Sequence, residues 1–371
     1  MDAARLRENF AYVAMHGDEV ALFFYSDLFL RYPELRGMFP VSMAAQRDRL
    51  VQAIGKIVSD VGHLDQLRPY LRELGRDHRK FGALPAHYDP VRASLLATLA
   101  HFSGEGWTRD LAADWEEAYA RVSQIMAESA VADEKVNPAF WDASVISHEL
   151  RTFDTAVFRV ATLQRLSFLP GQSVAIESEL RPRVWRFYSI ANAPREDGTL
   201  DFHVRMIDGG ELSMALVSGI APGARLRLGP PVGTLTLDPA SRRDVLLVAG
   251  STGLAPVKAN VMQIAELTDP PRVHLFVGAR RAEGLYDVPD LEKLSALAPW
   301  LTVTPCVSDD PDYQGERGLL PDVVARSGTW IHRDAYLAGP TPMVEGTAAG
   351  LVAQGVPHEQ IHVEDFGWSE P

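Results

Sequence analysis

The stretch Val245-Leu-Leu-Val-Ala-Gly-Ser-Thr-Gly-Leu-Ala-Pro256 decides how the last third of the chain folds. Its five leading apolar residues carry no alternation, which is the pattern of a strand covered on both faces. Gly250-Ser-Thr-Gly253 then makes a turn, and Leu254 opens a helix. Glycines allow close backbone approach to a ligand, and a new helix offers unpaired N–H groups, although Gly-x-x-Gly alone is also common in purely structural turns. Downstream, apolar strands at 273–277, 301–307 and 335–338 alternate with helical segments. Strand and helix in turn predict a doubly wound parallel sheet, assigned to residues 241–371.

Upstream the periodicity is different. Short alternating runs, Thr155-Ala-Val-Phe-Arg-Val160 and Leu200-Asp-Phe-His-Val-Arg205 among them, are divided by Pro170-Gly171, Asp208-Gly209-Gly210, Pro222-Gly223 and Gly229-Pro-Pro231. This predicts an antiparallel β-barrel over residues 143–240. Within Val184-Trp-Arg-Phe-Tyr-Ser189 the alternation puts Arg186 and Tyr188 on one face. An arginine fork suits a pyrophosphate, and a phenol ring suits stacking on a flat heteroaromatic.

Residues 1–132 contain few glycines and read as helix, followed by a linker at 133–142. The stretch 20–30 is apolar nearly all round, as in a helix buried on more than one side. Pro33 opens a turn that Pro40 closes, and Ser42 is a candidate cap for a helix whose stripe runs through Leu50, Ala53, Ile54, Ile57 and Val61. Further helices fit 69–80, 85–102 and 108–129. Leu71, Leu74, His78 and Phe81 share one face, so an imidazole points among hydrophobes. A lone histidine there is ordinarily a satisfied core residue. Gln46 heads another apolar stripe, however, and Tyr25 lies in the run Leu22, Tyr25, Phe29. A buried amide without a partner costs about 1–3 kcal/mol. A bound cofactor gives these three polar groups a common reason.

At 371 residues the chain accommodates two or three domains. Its formal net charge of −13 argues against nucleic acid or anionic membrane as a partner. Cys306, the single cysteine, excludes an internal disulfide and a thiolate metal cage. The N-terminus lacks the apolar core of a signal peptide and no run of about 18 apolar residues occurs, so a cytoplasmic protein is expected.

The segment Phe24-Tyr-Ser-Asp-Leu-Phe-Leu-Arg-Tyr-Pro-Glu-Leu-Arg-Gly-Met-Phe39, followed by Gln46, His78 and Tyr88, resembles a bacterial globin of the flavohaemoglobin type. The residues from Ala143 onward are similar to the ferredoxin-reductase superfamily, so the resemblance spans essentially the whole chain. It implies an all-α globin fold, then an antiparallel β-barrel FAD domain, then an α/β doubly wound NAD(P) domain, with haem b, FAD and NAD(P)H as cofactors. On the globin side it implies His78 as proximal iron ligand, Tyr25 and Gln46 as distal donors, Phe39 against the haem plane and Tyr88 in a proximal network. The family's glutamate in that network falls at Ala132, with Asp133 and Glu134 as its nearest substitutes.

In the reductase half the resemblance implies Arg186 on the FAD pyrophosphate, Tyr188 against the ring, and Ser189 near its reactive nitrogen. Gly209, Gly210 and Ser213 match the phosphate-cradling loop, and Glu364 and Phe366 match the terminal acid and aromatic beside the flavin. Gly250, Ser251, Thr252 and Gly253 would meet the nicotinamide nucleotide, Gly278 and Arg280 its adenosine side, and Gly339-Pro340 the nicotinamide. Ala338 stands where the family has cysteine. Arg280 or Arg281 either grips a 2′-phosphate or is a solvated surface charge, which leaves NADH against NADPH open. The implied activity is that of a nitric oxide dioxygenase acting on dioxygen and nitric oxide, as a monomer or weak dimer. The alternatives are reduction of another acceptor (peroxide, ferric iron or nitrosylated species) and a haem-based oxygen or redox sensor.

Overall fold

The computed structural model describes residues 1–364 and divides the chain into two compact units, Met1–Phe140 and Trp141–Pro371. The first is all helical: α1 (Ala3–Ala14), α2 (Asp18–Arg31), α3 (Ala44–Asp60), α4 (Leu64–His78), α5 (Tyr88–Ser103) and α6 (Arg109–Glu134). Asp2 and Thr108 accept from orphan N–H groups and start α1 and α6. A core of Leu6, Val13, Val58, Leu99, Leu111 and Trp115 knits α1, α3, α5 and α6 together. Inside it, the Trp115 indole donates to Asn9 (2.9 Å) and Asn9 donates to Ser103 (2.8 Å). Helices α4 and α6 cross closely: a Cβ on Gly75 would stand 2.7 Å from the Met126 Cα.

Four local readings need correction. Ser42 is not a cap, because α3 starts after Met43 without any side-chain bond. Pro69 lies inside α4, which begins a turn earlier. The helix over 20–30 leaves Leu22 and Leu30 exposed, so it is less buried than its composition implies. Finally, α6 runs past its expected end at 129 to Glu134, inside the stretch read as a linker. Buried Asp133 explains that extension: it pairs with Arg79 and accepts from Asn137 (2.8 Å), whose carbonyl in turn receives Arg79 (2.9 Å).

The second unit holds two sheets. The first comprises β1 (Trp141–Leu150), β2 (Thr155–Thr162), β3 (Ser173–Ser178), β4 (Arg181–Ser189), β5 (Leu200–Arg205) and, after the short helix α7 (Glu211–Met214), β6 (Arg225–Leu228). Its antiparallel order is β4-β3-β6-β1-β2-β5, and a bridge between Ile190 and Phe202 joins the two edges, so the sheet curls into a barrel around Phe158, Ile176, Phe202 and Leu216. The second contains β7 (Asp244–Gly250), α8 (Leu254–Ala265), β8 (Val273–Ala279), α9 (Val288–Leu297), β9 (Leu301–Val307), β10 (Glu316–Arg317), α10 (Leu320–Ser327), β11 (Arg333–Ala338), α11 (Thr341–Ala353) and β12 (Ile361–Val363). All its pairs are parallel, in the order β10-β9-β8-β7-β11-β12. Apolar side chains cover both faces, around Leu247 and Val261 on one and Phe276, Val323 and Leu337 on the other, as the unbroken apolar strands require. No helix among the described residues is long and apolar enough to cross a membrane.

Candidate functional site

In the helical unit, α2 carries Tyr25 into a small aromatic compartment with Phe24, Leu28 and Leu35, lined further by Phe29, Phe39 and Leu50. Tyr25 stacks on Phe29 with centroids 5.7 Å apart and meets the edge of Phe39 at 5.5 Å. Gln46, from the first turn of α3, donates its amide to the Tyr25 oxygen at 3.2 Å, and the phenol lies 3.4 Å from the Gln46 carbonyl. Burial pushes the Tyr25 phenol up to about 12, so it stays a proton donor throughout the physiological range. The structure thus brings together Tyr25, Gln46 and Phe39.

His78 ends α4 with Leu71 and Leu74 buried on its face and Phe81 edge-on at 6.0 Å. Its Nδ1 donates to the Leu74 carbonyl (2.8 Å), and because a carbonyl only accepts, the ring proton sits on Nδ1. Burial pushes the imidazole below its ordinary range despite the nearby Asp77 carboxylate, so the ring is neutral. Nε2 keeps its lone pair and has no hydrogen-bond partner among the described residues. That donor fits an iron ligand, with the neutral carbonyl fixing tautomer and ring orientation. Asp77 and Lys80, both buried, pair with each other beside it. The Tyr88 carbonyl accepts from Tyr119 (2.7 Å), while the Tyr88 phenol, raised by burial, has no partner among the described residues. Asp133 does not serve as the substitute carboxylate, since Arg79 holds it, and Glu134 is exposed.

In the second unit, β4 pairs with β3 so that Ser189 stands opposite Ser173, Tyr188 opposite Val174 and Arg186 opposite Ile176. Tyr188 packs on the barrel core, and Arg186 donates to the Trp185 carbonyl (2.9 Å). Glu364 arrives from the end of the parallel sheet and accepts from Ser189 (2.5 Å) and Ser173 (3.3 Å). Burial pushes its carboxyl up to about 7, against the opposing pull of the two hydroxyls. Ser173 was not anticipated: only the strand register brings it to Ser189, and register is invisible in a single strand's pattern. Phe366 lies outside the described residues. Gly209 and Gly210 lead into α7, but the Ser213 hydroxyl is used within the turn, accepting from the Ile207 N–H (3.3 Å) and donating to the Gly210 carbonyl (3.1 Å). What this loop offers a phosphate is therefore backbone N–H.

Strands are added to one side of β7 as far as β10 and then to its other side from β11, and this reversal of order makes the crevice beyond the C-terminal ends of β7 and β11 the expected nucleotide position. Gly250–Gly253 and Gly339-Pro340 converge there. A Cβ on Gly253 would stand 2.5 Å from the carbonyl carbon of Ala338, and Gly339 has φ +146° with its own Cβ position 2.9 Å from the Gly250 backbone. Glycine is required for the two turns to meet. Gly278 closes β8 against Leu320. Arg280 and Arg281, just beyond, are exposed and form no side-chain hydrogen bond or ion pair among the described residues.

Comparison with known proteins gives three successive family matches: globin at residues 22–126, oxidoreductase FAD-binding domain at 141–237 and oxidoreductase NAD-binding domain at 247–349. The ferredoxin–NAD(P)⁺ reductase CarAd of Metapseudomonas resinovorans is 34% identical over 229 residues, 61% of this chain and 68% of that protein. The flavohemoproteins of Bordetella parapertussis and Rhodopirellula baltica are 27% and 24% identical, covering 95% and 96% of this chain and 94% and 95% of their own. The solved flavohemoglobin from Malassezia yamatoensis, with bound FAD and heme, superposes over 98% of both chains with a TM-score of 0.81 at 18% identity, which is a likeness of fold.

Proposed function

Because the chain belongs to the flavohaemoglobin family, in which a haem-holding globin is joined to an oxidoreductase module for FAD and NAD, we propose that it oxidises nitric oxide with dioxygen to nitrate. That it is an oxidoreductase follows from the family; the acceptor is the proposal. When bound, the groups would supply the redox chemistry: hydride from a nicotinamide, the passage from electron pairs to single electrons at a flavin, and one-electron chemistry with gas binding at a haem iron that His78 would hold.

The remaining work falls to side chains. The Tyr25 hydroxyl is kept protonated, the Gln46 amide 3.2 Å away holds its oxygen, and its proton is engaged only by a long 3.4 Å bond to the Gln46 main-chain carbonyl, from which a stronger acceptor draws it. Phe29 and Phe39 pack on its ring. Such a pocket favours a diatomic that polarises toward negative charge, as dioxygen does, over an apolar one. His78 presents Nε2 with its other nitrogen committed to Leu74. Glu364, with a carboxyl near 7, can hold or release a proton beside Ser189 at neutral pH.

The Tyr25–Gln46 pair carries the reading, since a phenol and an amide in an aromatic compartment serve packing poorly and gas binding well. Reduction of peroxide draws on a proximal imidazole backed by a carboxylate. The neutral Leu74 carbonyl behind His78, and the engagement of Asp133 by Arg79, weigh against that acceptor. The test is aerobic consumption of nitric oxide by purified protein loaded with haem and FAD, followed at an electrode with NADH or NADPH as donor. Stoichiometric nitrate is expected, and absence of nitric oxide consumption excludes the activity.

A further inference from the structure

On strand β5, Leu200, Phe202 and Val204 fill the barrel core, so the alternation turns His203 outward, yet its side chain is buried. The parallel-sheet half of the same unit covers it. Its Nδ1 lies 2.9 Å from the Tyr286 hydroxyl, and the two rings meet edge to face with centroids 5.5 Å apart. Burial, helped by the Lys258 ammonium, pushes the imidazole down to about 3, so the ring is neutral, and burial likewise keeps the Tyr286 phenol protonated. A second contact crosses the same seam: Arg151, in the turn between β1 and β2, lies 3.4 Å from the Asp290 carboxylate.

Both contacts reach one short segment on the parallel-sheet side, Tyr286 to Asp290, which opens α9. Leu285, Val288 and Leu291 root that segment in the apolar core. Between its two contacts stands Asp287, fully buried, whose Oδ2 accepts from the Lys258 Nζ at 2.6 Å, while its Oδ1 has no hydrogen-bond partner among the described residues. Lys258 begins the second turn of α8, and α8 starts directly after the Gly250–Gly253 turn. Barrel, segment, helix and nucleotide turn therefore form one bonded series. Apolar faces would join two halves at least as firmly as a buried pair with an orphaned oxygen, since taking charge out of water is costly. They would also let the halves slide. A hydrogen bond and an ion pair hold one distance and one angle.

We propose that Tyr286 and Asp287 are positioning residues for the transfer of a hydride, with its electron pair, from a dihydronicotinamide, left as its oxidised cation, to an oxidised flavin, left reduced. Tyr286 ties the segment to the barrel and Asp287 ties it to α8, so together they set where the nucleotide turn holds a nicotinamide relative to a flavin in the barrel. Neither needs to touch a cofactor. The proposal rests on the reading of the barrel as the flavin site and of the crevice as the nucleotide site, and adds what fixes the one against the other. The competing role is a strut that only stabilises the fold. A strut affects melting and cofactor retention, whereas a positioning series alters the rate within the bound complex.

The test follows flavin reduction in the holoprotein by anaerobic stopped flow across a range of NADH or NADPH concentrations. ADP-ribose calorimetry and amide hydrogen exchange over residues 250–258 accompany it. The proteins are wild type, Tyr286→Phe, His203→Leu, their double variant, His203→Gln and Asp287→Asn. Tyr286→Phe keeps its ring in the core, so it is the deciding variant should Asp287→Asn fail to fold. Its limiting rate is expected to fall about tenfold, with the nucleotide dissociation constant and the ADP-ribose affinity within about twofold of wild type. Exchange over 250–258 should quicken, and the double variant should be no slower than either single one, because the same bond is lost in each. His203→Gln, which keeps a partner for the hydroxyl, should recover most of the rate. A wild-type limiting rate in Tyr286→Phe, or in a folded Asp287→Asn, overturns the proposal whatever happens to melting or affinity, and leaves the strut. Losses that multiply in the double variant overturn it as well. A wild-type protein that neither accepts electrons from NADH or NADPH nor binds ADP-ribose refutes the reading of the crevice instead.

Discussion

The candidate sites of the two units are built by opposite means. In the helical unit side chains do it: a phenol, an amide and an imidazole are carried into apolar surroundings by α2, α3 and α4, and none of the three residues has a positive φ. At the crevice of the parallel sheet the backbone does it, with Gly253 and Gly339 pressed against the opposite strand end so closely that a methyl group has no room. The first design tolerates substitution structurally and fails chemically. In the second, fold and function share the same atoms.

The sharpest way to break this contrast is His78→Ala. The helical unit should retain its fold but lose its haem entirely, while reduction of ferricyanide by NADH continues undiminished through the second unit. The haem-to-protein absorbance ratio and the dye assay report the two halves separately. Loss of both activities would mean that the units depend on each other for integrity. Gly253→Ala is the mirror experiment. Its Cβ would lie 2.5 Å from the Ala338 carbonyl carbon, so the turn must shift, at roughly 1–3 kcal/mol of stability. A displacement of this kind in a positioning element lowers kcat/KM for NADH about a hundredfold. Haem content should not change. A variant with normal NADH kinetics would show that the turn has slack that the close approach denies.

How much of this was legible in the sequence follows the same division. Val245–Gly253 is a contiguous signal, so strand, turn and crevice were readable in one pass, and the alternation around Arg186 and Tyr188 was local in the same way. The helical stripes gave Tyr25, Gln46 and His78 their directions, because period and polarity conflict at each. What stayed hidden was long-range. Ser173 meets Ser189 through strand register, Arg79 takes Asp133 across 54 residues, and neither partner carries a signature of its own. Capping at Ser42 failed too: α3 begins after Met43, which packs on the Tyr25 cluster and offers no side-chain cap.

Tyr25→Phe sharpens the side-chain half of the comparison. It removes the hydroxyl and leaves the Gln46 amide without its oxygen, while Phe29 and Phe39 keep the ring packed. A hydrogen bond to a partly charged acceptor is worth about 1.5–3 kcal/mol, so dioxygen should dissociate about tenfold faster or more in stopped flow, with haem retention unaltered. Unchanged release would mean that the pair serves packing after all.

The smallest effect concerns Glu364, where the two designs meet: a side chain acts at a site shaped by sheet register. Its folded carboxyl titrates near 7, against the 4.5 of an unperturbed glutamate. Between those values the folded protein binds a proton that the unfolded chain has released. Stability from this group is therefore complete below about pH 4.5 and declines as pH rises toward 7, after which the difference is constant. Glu364→Gln keeps a hydrogen-bonding group for Ser189 and Ser173 but does not titrate, so the melting temperature of the FAD-loaded second unit should lose part of its downward slope over that interval. A change of a few degrees is the scale for a unit of this size. Since every other group is shared by the two proteins, the difference between wild type and variant isolates Glu364. Identical slopes would place its carboxylate in water, and the proton beside Ser189 would then need another owner.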